Sequence, residues 1–384
     1  MIRTEAWILD EGRSGAPAVP AALRLDELVI PDLAADEALV EPLVGCWEAN
    51  MSHALERKPV DICTQRREPH AVLGNAGVVR VLECGQSVQA VRPGDICIVF
   101  CNGEWDEGGY PVKIYGYDAA GSIGILAKKT KLRERQLIRI PEDTSYSLGQ
   151  WAAFSLRYIT AWANWRVARD CWKSHRPNSE AEPIVWGWGG GVAYAELTLA
   201  TLEGASATLI SSNSCRLELI RHRGMNALDR RMFADLRFCP EQYASDVDYR
   251  NRYQNAEARF LELVQNSTSG SGVSIFVDYI GAPVYRATLK ALSRTGVITT
   301  AGWKEGMTLT TLRAVECMSW RIHVHTHYAR YEDGLDAMAF GEEHGWMPEV
   351  DGVAYAWQDI PRLASDYAQG QITSYFPLYI VNPE

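Results

Sequence analysis

Residues 183–197, PIVWGWGGGVAYAEL, decide the fold of this chain. The apolar run before the glycines predicts a buried strand, and the pattern after them, which stops at Gly204, predicts a helix. Glycines at such a turn let the backbone approach a pyrophosphate, and the helix N-terminus attracts its charge. The spacing G-x-x-G-x-x-A, formed by Gly187, Gly190 and Ala193, therefore predicts a nucleotide site, with a plain tight turn as the alternative.

The segments after this turn continue the same alternation. ATLISS, VSIFVDYIG and TGVITTAGW predict further buried strands, whereas CRLELIRHRGM and PVYRATLKALSR predict helices. Strands that alternate with helices indicate βαβ units and a parallel sheet. Residues 232–270 are longer than one crossover needs, so we expect a polar, aromatic insertion after the second strand of this sheet.

The part before Ser147 has a different character. ALVEPLVG, AGVVRVLECG and DICIVFC are short apolar runs bounded by turn residues, which predicts strands and a mostly β region over residues 1–150. From Ser147 the sequence predicts a long helix whose buried stripe includes Trp151, Phe154 and Ile159. The predicted fold class is α/β, with a β-rich domain and a doubly wound parallel sheet.

Composition limits the classes of binding partner and the cellular compartment that are expected. A chain of 384 residues suits two domains, and its net charge of -10 argues against nucleic acid and anionic membranes as partners. No stretch approaches about 18 apolar residues, and the start of the chain lacks the apolar core of a signal peptide. The nine cysteines include no C-x-x-C pair, so a reducing cytoplasm is the expected location.

The second predicted strand of the sheet indicates which nucleotide binds. It ends LISSNSCR, without the acid that would bond a ribose 2′-hydroxyl in an NAD site. Ser211, Ser212 and Arg216 are expected to receive a 2′-phosphate instead, which favours NADPH; otherwise Arg216 is a solvated helix residue. The other candidate cofactor contacts are Gly187, Gly189, Gly190, Gly191 and Val192 in the turn, and Gly281 and Gly302 after later strands.

The order of these features resembles the medium-chain dehydrogenase/reductase superfamily. A β-rich part with VRPGD at 91–95, a helix carrying ITAW, and then the nucleotide turn match it over nearly the whole chain. The resemblance implies a GroES-like catalytic domain over 1–150, a Rossmann domain over 151–320, and a segment, 321–384, that returns to the catalytic domain. It also implies that Thr160 approaches the nicotinamide and that the protein is a homodimer or homotetramer.

Many members of that superfamily hold catalytic zinc, and this chain lacks the ligands. Cys46 falls where the first ligand would, but Leu73 stands about where the histidine would, and SLRYITAW contains no cysteine. A catalytic zinc site needs three protein ligands, so the sequence predicts none. His323, His325 and His327 alternate and would share a face of a strand, but no nearby acid or cysteine completes a metal site.

A narrower resemblance is to the crotonyl-CoA carboxylase/reductases. It is carried by KIYGYDAAGSIG at 113–124, by the glycine turn, and by RAVECMSWRIHVHTHYA at 313–329. The resemblance implies that Tyr117, Asp118 and His327 line the place where carbon dioxide meets an enolate, with Asn50 as a possible fourth residue. Phe, Glu and the Ser-His-Phe triplet of that family have become Tyr117, Asp118 and Thr-His-Tyr, so simple reduction is expected to exceed carboxylation.

The expected activity is NADPH-dependent reduction of an α,β-unsaturated acyl thioester. Glu48 and His53 flank Asn50 in the loop where the superfamily usually places catalytic groups, so Glu48 is a further candidate. Without zinc, a side chain or water must supply the proton. The alternatives are a zinc-independent quinone or carbonyl reductase, and a non-catalytic nucleotide-binding protein on the same scaffold. The sequence leaves open whether the acyl carrier is CoA or acyl-carrier protein.

Overall fold

The structure is a computed structural model, and it describes residues 1–12, 21–176, 181–302, 305, 308–310, 323–326 and 328–383, with the backbone alone at 323–326. The chain divides into two compact units: unit 1 is Met1–Ile159 with Ala329–Glu384, and unit 2 is Thr160–Tyr328. Each unit has its own sheets and its own apolar core. Among the described helices, none is both long enough and apolar enough to cross a membrane.

Unit 1 consists mainly of strands. They are β1 (Ile2–Asp10), β2 (Arg24–Ile30), β3 (Glu37–Cys46), β4 (His70–Val72), β5 (Gly77–Cys84), β6 (Ile96–Val99), β7 (Asn102–Trp105), β8 (Pro111–Ile114), β9 (Thr130–Arg133), β10 (Leu137–Arg139), β17 (Ala354–Tyr355) and β18 (Leu378–Ile380). The main sheet has the order β10-β6-β5-β3-β18-β17 with β9 also on β3; β2-β1-β4 and β7-β8 form smaller sheets. The helices wholly within it are α1 (Ala49–Glu56), α2 (Ile62–Arg66), α9 (Tyr331–His344) and α10 (Ile360–Ala368).

Strand β3 lies inside the main sheet and positions the residues that follow it. It pairs antiparallel with β5 from Ala38↔Cys84 to Gly45↔Gly77. On its other edge it pairs antiparallel with β18, where Leu378 faces Cys46. Nearly every residue of β3 is buried, as expected for a strand that is covered on both faces. The chain therefore leaves β3 within the interior of unit 1 and enters α1 there.

Unit 2 is a doubly wound parallel sheet, which confirms the predicted fold class. Its strands are β11 (Ile184–Trp188), β12 (Ser206–Ser211), β13 (Asn226–Asp229), β14 (Val273–Asp278), β15 (Leu292–Thr300) and β16 (His323–Thr326). Their order, β13-β12-β11-β14-β15-β16, reverses between β11 and β14, where such sheets bind ligands. The helices are α4 (Gly191–Leu202), α5 (Ser214–His222), α6 (Pro240–Ser245), α7 (Val247–Ser267) and α8 (Ala282–Ala291), while α3 (Leu148–Ser174) begins in unit 1.

Two details differ from the sequence-based expectations. The predicted insertion follows the third strand, β13, and it folds mainly as α6 and α7. Its apolar side, spaced by three or four residues, includes Tyr253, Phe260 and Val264, and the Phe260 ring stacks on Trp188 at 5.2 Å. Helix α8 ends at Ala291 rather than at Arg294, because the chain enters β15 at Leu292.

Candidate functional site

The glycine turn between β11 and α4 is shaped to receive an anion. Gly189 has φ +152°, and a Cβ there would lie 3.1 Å from the Cβ atoms of Ala193 and Tyr279, so the position favours glycine. At Gly190, the N-cap of α4, an added Cβ meets no described atom within 4 Å, and no described side chain caps the helix. The first N–H groups of α4 are therefore open to a phosphate.

Gly187, which was also predicted to contact the cofactor, has a packing role. A Cβ at this position would lie 3.0 Å from Leu197 Cδ1 and 3.1 Å from the Val277 carbonyl oxygen. Because Gly187 has no Cβ, α4 can lie close to β11 and β14. Gly191 is buried and Val192 is half-buried in the first turn of α4. Contact of Gly187, Gly191 and Val192 with a cofactor stays a prediction.

The end of β12 offers hydroxyl and cationic groups and no acid. Ser211 is half-buried, and its Oγ accepts a hydrogen bond from the Asn213 N–H (3.2 Å), while Ser212 is exposed. Asn213 caps α5 by accepting from the Arg216 N–H at 3.1 Å. Arg216 thus lies in the first turn of a helix that starts where the strand ends. This donor set fits the 2′-phosphate of NADPH better than a ribose hydroxyl.

Two further predicted positions lie at the same edge of this sheet. Gly281, with φ +97°, is the N-cap of α8, and its N–H donates to Asp278 Oδ1 at 3.0 Å. Gly302 follows β15, and a Cβ there would lie 3.5 Å from Tyr279 Cδ1. Both glycines follow the carboxyl ends of parallel strands, as the glycine turn does. The structure therefore brings these predicted cofactor positions to one edge of unit 2.

A buried hydrogen-bond network behind this edge was not predicted. Asn164 Nδ2 donates to the Tyr279 hydroxyl, which donates to Glu196 Oε2, each at 2.6 Å. Burial raises the pKa of Glu196 to about 8, so this carboxyl is mostly protonated at neutral pH. Thr160 is half-buried, four residues before Asn164 on the same face of α3. The available signal was Glu196, the one charged residue in the sequence of helix α4.

In unit 1 the predicted Glu48 is paired with an arginine that sequence reasoning missed. Arg157 Nε lies 3.0 Å from Glu48 Oε2, and both side chains are almost fully buried. The guanidinium also donates to the carbonyl oxygens of Trp47 (2.7 Å) and Tyr375 (2.5 Å), and Nη1 lies 3.4 Å from Cys46 Sγ. The arginine therefore joins α3 to the end of β3 and to the segment before β18.

This arrangement places a proton-holding carboxyl in unit 1. Burial raises the pKa of Glu48 to about 7, although the Arg157 guanidinium opposes the increase. Burial also raises the pKa of the Cys46 thiol to about 12, which keeps it neutral. Glu48 Oε1 is buried and has no hydrogen-bond partner among the described residues. Glu48 can therefore gain or lose a proton near neutral pH.

The other predicted residues of unit 1 have different surroundings. Asn50, in the first turn of α1, has a buried Oδ1 without a described partner, and burial lowers the pKa of the half-buried His53. Tyr117 is half-buried and packs against the apolar core of unit 1. Asp118 is also half-buried: its Oδ1 accepts from the Ile114 N–H at 2.6 Å and its Oδ2 lies 3.9 Å from Lys113 Nζ. Its carboxylate thus holds its own turn together, and its role in chemistry stays a prediction.

His327 lies outside the described residues, so its predicted role is not tested. His323 and His325 belong to β16, which pairs parallel with β15 and is described by its backbone alone. Their alternation on one strand agrees with the sequence-based prediction.

The residues at the position of the superfamily's zinc site do not fit a metal. Cys46 is adjacent to the Arg157 guanidinium, a fixed positive charge that would repel a cation, and Leu73 is fully buried and has no donor atom. Within the described part of the chain, no group of three or more His, Cys, Asp and Glu side chains could hold a metal ion.

The purified protein is expected to contain no stoichiometric zinc. The reason is the Arg157 guanidinium 3.4 Å from Cys46 Sγ, where the superfamily's metal would need a thiolate. Elemental analysis together with an activity assay in the presence of a chelator checks this. One zinc per chain, with activity lost on chelation, would contradict it.

Comparison with known proteins gives structural matches and no sequence matches. No protein-family model matches the sequence, and no curated protein matches it. The crotonyl-CoA carboxylase/reductase AntE in complex with NADP has a TM-score of 0.81 at 19% identity, covering 100% of this chain and 96% of that chain. The 2-octenoyl-CoA carboxylase reductase CinF, in complex with NADP and 2-octenoyl-CoA, has a TM-score of 0.80 at 19% identity, covering 100% and 88%.

A third solved structure widens the comparison. It is a putative alcohol dehydrogenase from Sinorhizobium meliloti 1021, with a TM-score of 0.72 at 19% identity, covering 98% of each chain. At these identities the likeness shows the fold alone. The chain therefore shares its fold with these two carboxylase/reductases and with this alcohol dehydrogenase.

Proposed function

We propose that this protein is an NADPH-dependent reductase of α,β-unsaturated acyl thioesters. The observation that carries the proposal is the agreement in fold, over 100% of the chain, with reductases whose structures hold NADP and an enoyl-CoA. We further propose that it is a homodimer or homotetramer of the cytoplasm. In this proposal the acyl carrier is CoA or acyl-carrier protein.

The cofactor would be held by the edge of unit 2. The open N-terminus of α4 at Gly190 supports binding of the pyrophosphate, and Gly189 allows its close approach. Ser211, Ser212 and Arg216 would receive the 2′-phosphate. Thr160 would approach the nicotinamide. Bound NADPH would supply a hydride to the β-carbon of the substrate.

The enolate formed by hydride transfer needs a proton, and unit 1 offers one. Glu48 has an unpartnered oxygen among the described residues and, through burial, a pKa of about 7, which suits a general acid near neutral pH. This proposal also assigns Asn50, Tyr117, Asp118 and His327 to the catalytic residues, as the resemblance implies. Arg157 is a positioning residue, because it holds Glu48 and the carbonyls around it.

Substrate assays test the proposal directly. Oxidation of NADPH is followed with crotonyl-CoA, with the same acyl group on acyl-carrier protein, and with a quinone. We expect turnover with an acyl thioester. Turnover with the quinone alone would indicate a quinone reductase, and tight NADPH binding without turnover on any acceptor would indicate a non-catalytic protein.

Arg216→Ala should weaken NADPH binding and leave NADH binding unchanged. A charge-assisted contact to a phosphate contributes about 1–3 kcal/mol, so the Kd for NADPH should rise by roughly five- to 150-fold. Fluorescence titrations with both cofactors measure the change. Wild-type protein that binds NADPH and NADH equally well would show that the end of β12 does not select the cofactor.

We expect simple reduction to exceed reductive carboxylation even in saturating bicarbonate. The Asp118 carboxylate is one methylene shorter than the glutamate of the carboxylating family and is engaged in its own turn through the Ile114 N–H. A barrier difference of about 1.4 kcal/mol changes the product ratio tenfold. Mass analysis of products from an enoyl-CoA, NADPH and labelled bicarbonate gives the ratio. A carboxylated acyl-CoA as the main product would refute the expectation.

A further inference from the structure

Three side chains near the end of β3 carry polar atoms without partners. Glu48 Oε1, Asn50 Oδ1, and both Oδ1 and Nδ2 of Asn75 are buried and make no hydrogen bond to any described residue. Glu48 is 4% exposed and Asn75 is 0% exposed. Burying such atoms without partners is unfavourable, and in native proteins they are usually satisfied by a ligand or by ordered water. Sequence analysis did not single out Asn75.

The backbone places the segment of Asn75 alongside the end of β3. The Cys46 N–H donates to the Ala76 carbonyl at 3.0 Å, which continues the β3–β5 register beyond Gly45↔Gly77. Asn75 is therefore opposite the residue that precedes Glu48. Glu48 is the N-cap of α1, and Asn50 follows in its first turn. The three side chains thus come from two segments that are adjacent at the end of β3.

The segment of Asn75 also contacts the loop of Tyr117 and Asp118. The Gly74 carbonyl accepts from the Ile125 N–H at 3.0 Å, and a Cβ added at Gly116 would collide with that carbonyl oxygen. Asn75 therefore lies between the start of α1 and the loop that the proposed function assigns to the reacting carbon. The segment of Asn75 therefore borders both parts of the predicted site in unit 1.

The chemistry of the free atoms indicates the kind of ligand. When Glu48 is protonated, its Oε1 hydroxyl and Asn75 Nδ2 are donors, whereas Asn50 Oδ1 and Asn75 Oδ1 are acceptors. The other oxygen of Glu48 is occupied by Arg157. Carbon dioxide and a carbonyl oxygen are acceptors only, so they leave these acceptors unsatisfied. A water molecule donates two hydrogen bonds and accepts two, which fits the set.

We propose that Glu48, Asn50 and Asn75 bind a water molecule that protonates the enolate. The inference rests on the proposed function. Once the β-carbon has received its hydride, an O–H bond of the water breaks and its proton forms the α C–H bond. The water regains a proton from the Glu48 carboxyl, which becomes a carboxylate paired with Arg157. A proton from solvent then restores Glu48, so each turnover consumes one hydride and one proton.

The decisive variant is Asn75→Leu, which has similar size and no polar group. We expect kcat to fall at least tenfold, with the KM for the enoyl-CoA and the Kd for NADPH nearly unchanged. In saturating bicarbonate the carboxylated fraction of the product should rise severalfold, because slower protonation prolongs the life of the enolate. A residue with a purely structural role would not change this ratio.

Asn102→Leu is the matched control. Asn102 is 2% exposed in the same unit, but its Nδ2 donates to the Ala329 carbonyl at 3.4 Å. Asn102→Leu should lower the Tm and leave the product ratio unchanged. Asn75→Leu should keep the wild-type Tm. A lower Tm for Asn75→Leu with an unchanged product ratio would show that Asn75 is structural and would overturn the proposal.

A crystal structure of the wild-type protein tests the water site without turnover. The expected result is a water within about 3.2 Å of Glu48 and Asn75 in the wild type and not in Asn75→Leu. Absence of that water in the wild type overturns the proposal. Presence of the water in a protein that reduces no acyl thioester would refute the proposed function and the proton transfer, while the water site would stand.

Discussion

Gly190→Asp should weaken NADPH binding at least a hundredfold and leave the protein at least as stable as the wild type. Gly190 is the N-cap of α4, no described side chain caps this helix, and an added Cβ meets no described atom within 4 Å. Aspartate is a favourable N-cap and would stabilise α4 by up to about 1 kcal/mol. The same carboxylate would repel the pyrophosphate. We expect the Kd for NADPH to rise at least a hundredfold, which corresponds to about 2.7 kcal/mol.

Gly190→Asn separates the charge from the size of the new side chain. Asparagine is nearly isosteric with aspartate and is an equally good N-cap, but it is neutral. It should weaken NADPH binding far less than aspartate does. Fluorescence titration gives the affinities, and thermal unfolding gives the stabilities. If the two variants bind NADPH equally, the N-terminus of α4 is not the phosphate site.

Arg157→Leu should lower the free energy of unfolding by about 3–5 kcal/mol, because it leaves Glu48 buried without its partner. The variant also removes the hydrogen bonds to the Trp47 and Tyr375 carbonyl oxygens. Urea denaturation at pH 8 measures the loss. We expect the reductase activity to fall with it, since Arg157 holds Glu48 in place. Arg166→Leu is a matched control, because Arg166 is an exposed arginine on the same helix.

The loss should depend on pH in a defined direction. Burial raises the pKa of Glu48 above its usual 4.5, so its protonated form favours the folded state. The contribution of Glu48 to the free energy of unfolding is therefore fully present below about pH 4.5. It decreases as the pH rises towards the folded-state pKa. Without the guanidinium that pKa rises further, so Arg157→Leu should lose more stability at pH 8 than at pH 5.5. The other titratable groups that face Glu48 are Cys46, Cys101 and Tyr379.

Glu48→Gln identifies the source of this pH dependence. Adding it to Arg157→Leu should remove most of the difference between pH 5.5 and pH 8, because glutamine does not titrate. A pH difference that persists in the double variant would assign the effect to another group.

Local patterns predicted much of unit 2. The strand, the glycines and the helix at 183–204 are adjacent in sequence, so the sequence alone predicted that they form one strand–turn–helix unit. The same holds for the acid-free end of β12, where Ser211 and Ser212 follow one another. Helix α7 was missed because its charged outer residues hide an apolar stripe of Tyr253, Phe260 and Val264.

The polar interior could not be predicted, because its partners are far apart in the chain. Glu48 and Arg157 are 109 residues apart, and Tyr279 and Glu196 are 83 apart. No periodicity links such residues; only the tertiary fold of each unit brings them together. Asn75 could not be predicted either, because its proposed role depends on buried atoms that lack hydrogen-bond partners among the described residues.

Unit 1 is made from two separated parts of the chain, and this has a consequence for synthesis on the ribosome. Residues 160–328 emerge as one uninterrupted segment, so unit 2 has all of its strands before residues 329–384 are translated. Until residues 329–384 have been translated, β3 cannot pair with β18 and Arg157 cannot donate to the Tyr375 carbonyl. During that interval the edge of β3 and the side chain of Arg157, which are buried in the folded unit, are exposed to solvent and to chaperones. The newly made chain is therefore most prone to aggregation through the part of unit 1 that precedes unit 2.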